Sequence, residues 1–135
     1  MATKIFVNLP VKDLDKSIAF FTKLGFTFNP QFTDENATCM IVSDDIFVML
    51  LVEPYFKTFT KKEISNATKS TEVILCLSAD SKEKVNEMVN KAVEAGGVTP
   101  NQLNDQGWMY QWGFQDLDGH LWEIAYMDQT AIPQG

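Results

Sequence analysis

Histidine is almost missing from this chain of 135 residues, which has only His120. One imidazole does not make a His-based metal cluster or, unaided, a catalytic triad. Cysteine is scarce too: Cys39 and Cys76 are the only two, with no Cys-x-x-Cys spacing, which removes the common zinc and dithiol redox motifs. Both lie in apolar, strand-like runs, so both are expected to be buried free thiols. Lys and Arg total 11 against 18 Asp and Glu, a formal net charge of -7. Nucleic acid is disfavoured as a partner, because phosphate backbones need Lys and Arg. Anionic membrane surfaces are opposed by the same charge. No run approaches the roughly 18 apolar residues of a bilayer span. Met1 to Phe6 lacks the basic-then-apolar pattern of a leader, and a cytoplasmic location is the default expectation.

What the chain does have is apolar bulk: 45% hydrophobic residues, ten Phe and three Trp. That suffices for one sizeable core, and the length fits a single domain over residues 1–135. Lys4 to Val11 alternates like a strand. Asp13 has the character of a helix N-cap, and Leu14, Ile18, Phe21 and Leu24 follow with one-face helical spacing before Gly25 ends the helix. Strands are expected at Phe26 to Phe32, Ala37 to Ser43 and Ile46 to Val52, the last two joined by a turn at Asp44-Asp45.

The same order then recurs. Glu72 to Ser78 is expected as a strand. Asp80 and Glu83 have capping-box spacing, and Val85, Met88, Val89, Ala92 and Val93 form a helix face closed by Gly96-Gly97. Strands are expected at Gly97 to Thr99, Trp108 to Gln115 and His120 to Tyr126, with Asp116 to Gly119 as the last turn. The implied architecture is α+β: two βαβββ modules in tandem, about 1–53 and 71–128, forming concave mixed sheets with the helices outside. The linker, about 54–70, is polar with some aromatics, and Tyr55 to Ile64 is expected to be partly helical. The tail from Asp128 to Gly135 is expected to be loose.

Strand alternation sorts the side chains. Trp122, Ile124, Tyr110, Trp112 and Phe114 are expected under the helices, with Leu9, Val11, Leu75 and Leu77. Gln111 and Glu123 then fall on the opposite, cavity-facing side. A mid-strand Glu between Trp122 and Ile124 costs several kcal/mol to bury unless it is paired, protonated or metal-bound.

Asn8-Leu9-Pro10-Val11-Lys12-Asp13-Leu14, Ser17-Ile18-Ala19-Phe20-Phe21 and Leu24-Gly25-Phe26 resemble the opening of vicinal oxygen chelate superfamily proteins. Asp116-Leu117-Asp118-Gly119-His120-Leu121-Trp122-Glu123 resembles their closing motif. Glyoxalase I, fosfomycin-resistance enzymes, extradiol dioxygenases and bleomycin-binding proteins belong to that superfamily, and the resemblance spans nearly the whole chain. In its metal-dependent members the ligands come from the first and last strands of each half. The resemblance places Glu123 at the last ligand position and Glu72 at another, or Thr71 if the register slips by one. It places Phe6 and Met49 at the remaining two, where relatives carry metal-binding side chains. Asn8, on the face of Phe6, adds only a weak amide oxygen. A divalent ion needs three or more N or O ligands, so no cofactor is expected, and a divalent metal held by Glu72 and Glu123 is the alternative.

Two functions compete. One is a metal-free, bleomycin-resistance-like protein that binds a small molecule. In it Phe6, Phe47, Met49 and Met109 supply contact area, while Asn8, Glu72, Gln111 and Glu123 orient the ligand. The other is a metal-assisted lyase of the lactoylglutathione lyase type, with a carboxylate shuttling a proton; metal-free catalysis with Glu123 as the base, and structural roles, are the remaining alternatives, and Glu123 is the catalytic candidate. No Lys or Arg falls on the cavity faces, which weighs against anionic substrates such as glutathione. Small members of the superfamily usually pair, so a homodimer is expected. Asp116 and Asp118 are expected to shape their turn, and His120 to be structural or at the surface.

Overall fold

The structure, a computed structural model, describes residues 3–131. By contacts the chain divides into two compact units, residues 1–66 and 67–135. Each holds one four-stranded mixed sheet.

In the first unit the strands are β1 (Ile5–Val11), β2 (Thr27–Asn29), β3 (Ala37–Ile41) and β4 (Ile46–Val52), with helix α1 (Leu14–Lys23) after β1 and a one-turn helix α2 (Glu53–Phe56) after β4. The sheet order is β1-β4-β3-β2. The pair β1–β4 is parallel and the others are antiparallel. Helix α1 starts where Asp13 accepts the Lys16 backbone N–H at 3.1 Å, which satisfies a donor the first turn leaves unpaired. Leu14, Phe20, Phe21 and Leu24 are buried, and so are Leu9, Val11, Met40, Val48 and Leu50 on the sheet. Alternation puts those five on one face, which α1 covers. Removing each large side chain from water contributes roughly 1.5–3 kcal/mol.

The predicted Phe26 to Phe32 strand ends at Asn29. Pro30 opens a short 3₁₀ turn through Phe32, because it has no N–H to continue the ladder. The helical linker is shorter than predicted as well: α2 is followed only by a 3₁₀ turn at Lys57–Phe59.

The second unit repeats the plan with β5 (Ile74–Ser78), α3 (Lys82–Glu94), β6 (Asn104–Asp105), β7 (Met109–Gln115) and β8 (Leu121–Met127), in the order β5-β8-β7-β6. Val85, Val89 and Ala92 of α3 are fully buried, and α3 packs on β7 and β8. Tyr110 reaches the helix through its hydroxyl, which donates to Asn86 Oδ1 at 2.7 Å. Phe114 stacks on Trp122 with centroids 6.2 Å apart. Tyr110, Phe114, Trp122 and Ile124 are thus buried on the helix face, as alternation predicted, whereas Trp112 of the same face is only half-buried.

Four expectations need correction. The cap of α3 is Ser81, whose Oγ accepts from the Lys84 N–H at 3.2 Å; Asp80 lies one residue too early. Val93 stays exposed at the border of the helix face. Residues 97–99 form no strand; they touch β7 through a single bridge, Val98 to Gln115, and Pro100 has no N–H with which to extend the pairing. Finally, β5 begins at Ile74 rather than Glu72, since parallel pairing starts at Ile74–Leu121. Ahead of Leu121 the partner strand is already turning, so residues 71–73 have nothing to pair with. Residues 132–135 of the predicted loose tail lie outside the described residues.

The turn before β8 is built around a buried carboxylate. Asp116 Oδ1 accepts the backbone N–H groups of Asp118 and His120 at 2.9 and 3.0 Å. Its Oδ2 accepts the Trp122 indole N–H at 3.0 Å. Gly119 has φ +92°, and a Cβ there would lie 2.8 Å from the backbone of Ala67 and Thr68. Only glycine meets both demands.

Candidate functional site

Each unit has a helix packed on its sheet and a cavity of its own. In the first unit, alternation leaves Phe6 and Asn8 of β1, Phe47, Met49 and Leu51 of β4, and Ala37 and Cys39 of β3 on the face away from α1. A groove of about 710 Å³ opens on this face. Phe6, Asn8, Cys39 and Met49 line it from the strands, Phe32 and Phe59 from the 3₁₀ turns, and Tyr55 from α2. Phe6, Phe32 and Phe59 are 53%, 61% and 59% exposed, and Tyr55 meets Phe59 edge-on with centroids 5.2 Å apart. Phe47 does not line the groove. It stacks beside Phe6 from the neighbouring strand at 4.9 Å, while the Lys4 ammonium sits 5.4 Å over its ring. Among the described residues no Lys, Arg or His lines the groove. Its carboxylate, Asp34, is engaged by the backbone N–H groups of Asn36 and Ala37. Burial pushes the Cys39 thiol above its ordinary pKa, so the groove holds no ready nucleophile.

In the second unit a smaller cavity, about 270 Å³, lies against β7 and β8. Asn101, Gln102, Asn104, Gln111, Trp112 and Glu123 contribute to its walls. The Trp112 indole N–H donates to the Asn101 carbonyl at 3.2 Å, tying the 101–104 loop to the sheet. Gly113 pairs with Glu123 across β7–β8. A Cβ at Gly113 would lie 2.5 Å from the Trp122 carbonyl oxygen and 3.3 Å from Glu123 Cγ, so the glycine lets the two strands and the Glu123 side chain sit as they do. Cys76 pairs with Glu123 from the other side. It is exposed rather than buried, because β5 is an edge strand and alternation turns the thiol away from α3. Partial burial raises its pKa, and the Glu123 charge raises it further.

The structure therefore divides the predicted site residues. Phe6, Asn8 and Met49 share one groove with Phe47 beside Phe6, and Gln111 and Glu123 share the other cavity. Met109, at the start of β7 opposite Met127, and Glu72, exposed ahead of β5, line neither. Phe32, Tyr55, Phe59 and the Asn101–Asn104 loop are additions. The aromatics of the otherwise polar linker were the available signal for Tyr55 and Phe59.

The donor set does not suit a divalent ion. Among the described residues no three His, Cys, Asp or Glu side chains cluster in a way that could hold one. Phe6 and Met49 carry no hard donor, and Glu72 stands off the strand. Among the same residues no helix is long and apolar enough to cross a membrane.

Residues 3–43 match the family model for bleomycin resistance protein-like N-terminal regions. Among solved structures, hypothetical protein SA1046 from S. aureus is 30% identical, with a TM-score of 0.78 over 93% of this chain and 95% of that one. A glyoxalase/bleomycin resistance protein/dioxygenase family enzyme from Burkholderia phytofirmans PsJN is 18% identical, with a TM-score of 0.79 over 93% and 99%. The fosfomycin resistance protein FosX from Mesorhizobium loti is 11% identical, with a TM-score of 0.70 over 96% of each chain. At these lower identities the likeness is one of fold. No curated protein matches the chain.

Proposed function

We propose that the chain is a member of the vicinal oxygen chelate superfamily and a small-molecule-binding protein that takes an apolar, aromatic-bearing ligand without a metal ion. The observation that carries this reading is the convergence of Phe6, Phe32, Tyr55 and Phe59, all exposed, on one groove of about 710 Å³. Aromatic side chains left in water around a concavity are unusual unless something covers them, and the volume is that of a small-molecule site. Rings supply contact area at low conformational cost, while Asn8 and Gln31 supply polar contacts. Binding rather than reaction suits the lining, since its carboxylate is engaged by backbone and its thiol is held protonated. The absence of cationic side chains from the described lining disfavours anionic ligands.

A neutral aromatic probe, N-phenyl-1-naphthylamine, tests this by fluorescence titration. Phe59→Ala and Phe6→Ala should each weaken its binding about tenfold, the loss of roughly 1.4 kcal/mol of ring contact. Unchanged affinity in both variants would remove the groove as the site. Elemental analysis after soaking with Ni, Zn and Mn should find no stoichiometric metal. Stoichiometric metal lost on Glu123→Gln would replace this reading with the metal-dependent lyase.

The proposal includes a homodimer. Ile5, Val73 and Ile74 remain about half exposed, apolar surface that a second copy would cover. Sedimentation should report twice the chain mass of 15.3 kDa at micromolar concentration; a monomer would contradict it.

A further inference from the structure

The cavity of the second unit is chemically unlike the groove of the first. Four carboxamides (Asn101, Gln102, Asn104 and Gln111) and one carboxylate (Glu123) line it, together with Trp112 and, among the described residues, without a single Lys, Arg or His. Among the same residues, none of these five polar side chains is engaged in a hydrogen bond or ion pair within the protein. Asn101, Gln102 and Asn104 are exposed and Gln111 and Glu123 half-buried, so all five are open to solvent and to a ligand that enters the cavity.

A lone carboxylate among amides is a poor metal site, because a divalent ion needs at least three good ligands. An organic cation has different needs. An ammonium requires one counter-charge, neutral acceptor oxygens for its remaining N–H groups, and an apolar surface for its carbon skeleton. Glu123 supplies the charge. Gln111 and Asn104 are direct cross-strand partners in the β6–β7 pair and supply adjacent amide oxygens. Ile74 and Leu121, which alternation puts on the same face as Glu123, supply apolar surface for the carbon skeleton. Gly113 keeps the space beside Glu123 clear. The net charge of -7 attracts a cation from a distance.

We propose that this cavity is a receptor for a small organic ammonium, with Glu123 as its counter-ion. It is independent of the aromatic groove, and either site stands if the other fails.

A matched series tests it on the whole chain: benzylammonium, benzyl alcohol and benzoate, titrated at low salt and followed by amide chemical shifts. Benzylammonium should move the amides of Gln111, Gly113 and Glu123 and bind at least about tenfold more tightly than the alcohol, with benzoate showing no binding there. Glu123→Gln should weaken benzylammonium by about tenfold or more without changing the melting temperature by more than a few degrees. Gln111→Leu, which leaves the charge in place, should weaken it less and gives a second reading should Glu123→Gln fold poorly. Equal affinity for ammonium and alcohol would overturn the proposal. So would shifts confined to Phe6, Phe32 and Phe59, or a Glu123→Gln variant that binds benzylammonium as the parent does.

Discussion

Asp116→Ala is expected to lower the free energy of unfolding by about 3 kcal/mol and the melting temperature by roughly 10 °C. Asp116 is 6% exposed, and its two oxygens accept three N–H groups. Alanine would leave the buried Trp122 indole N–H without its acceptor and free the turn that feeds β8. Asp116→Asn keeps an acceptor oxygen and should lose less. Urea unfolding followed by tryptophan fluorescence measures both; a loss below about 1 kcal/mol for alanine would mean that water replaces the carboxylate.

The same residue carries a pH signature. Burial raises the pKa of Asp116, opposed by the nearby His120, the Trp122 indole and the two backbone N–H groups. The folded state therefore holds this proton to higher pH than the unfolded chain does. The stabilising contribution is full below the unfolded value of about 4 and is lost as pH rises through the folded value. The advantage of the parent over Asp116→Asn, whose amide does not titrate, should shrink as pH rises from about 4. An advantage that grew over that range would reverse the assignment.

Gly113→Ala should cost about 3 kcal/mol, at the upper end of overpacking effects. In most strands, replacing glycine with alanine is mildly favourable, through the entropy of the unfolded chain. Gly113 is different because its missing Cβ would lie 2.5 Å from a backbone oxygen of the neighbouring strand. Backbone cannot swing aside as a flexible side chain can, so β7 and β8 would have to part. The added methyl also presses on Glu123 Cγ, and ammonium binding should fall together with stability. Thermal melts and the benzylammonium titration read the two effects separately; an alanine variant as stable as the parent would show that the strands adjust freely.

Much of this was legible from local patterns. The cap at Asp13, the apolar stripes of α1 and α3, the Asp44-Asp45 turn and the alternation in β7 and β8 are statements about neighbours in sequence, and neighbours decide helix faces and strand parity. Some misses are local, such as Pro30 and Pro100, whose missing N–H cuts a strand short; the others are non-local. Glu72 has a strand-like setting, but whether it pairs depends on where β8 begins. Cys76 reads as buried from its apolar neighbours, yet an edge strand with one uncovered face leaves it exposed. Ser81 competed with Asp80 for the same cap, and one residue of register decided between them. The cavities were harder still. Phe32, Phe59, Asn101 and Gln102 come from turns and loops, and Tyr55 and Asn104 from a one-turn helix and a two-residue strand, segments too short for periodicity to mark a side chain as facing a ligand.

In both sheets the last strand lies between the first and the third, and this constrains the order of assembly. Hairpins β3–β4 and β7–β8 close over short turns and need only local chain. The first strand of each unit has no partner except the last one, so β1 stays unpaired until Ile46–Val52 is in place, and β5 until Leu121–Met127 is. The intervening helices are bound by the same order, since the sheet face each must cover is incomplete without its central strand. Each half is thus closed by its longest-range pairing, the step in which loop-closure entropy weighs most.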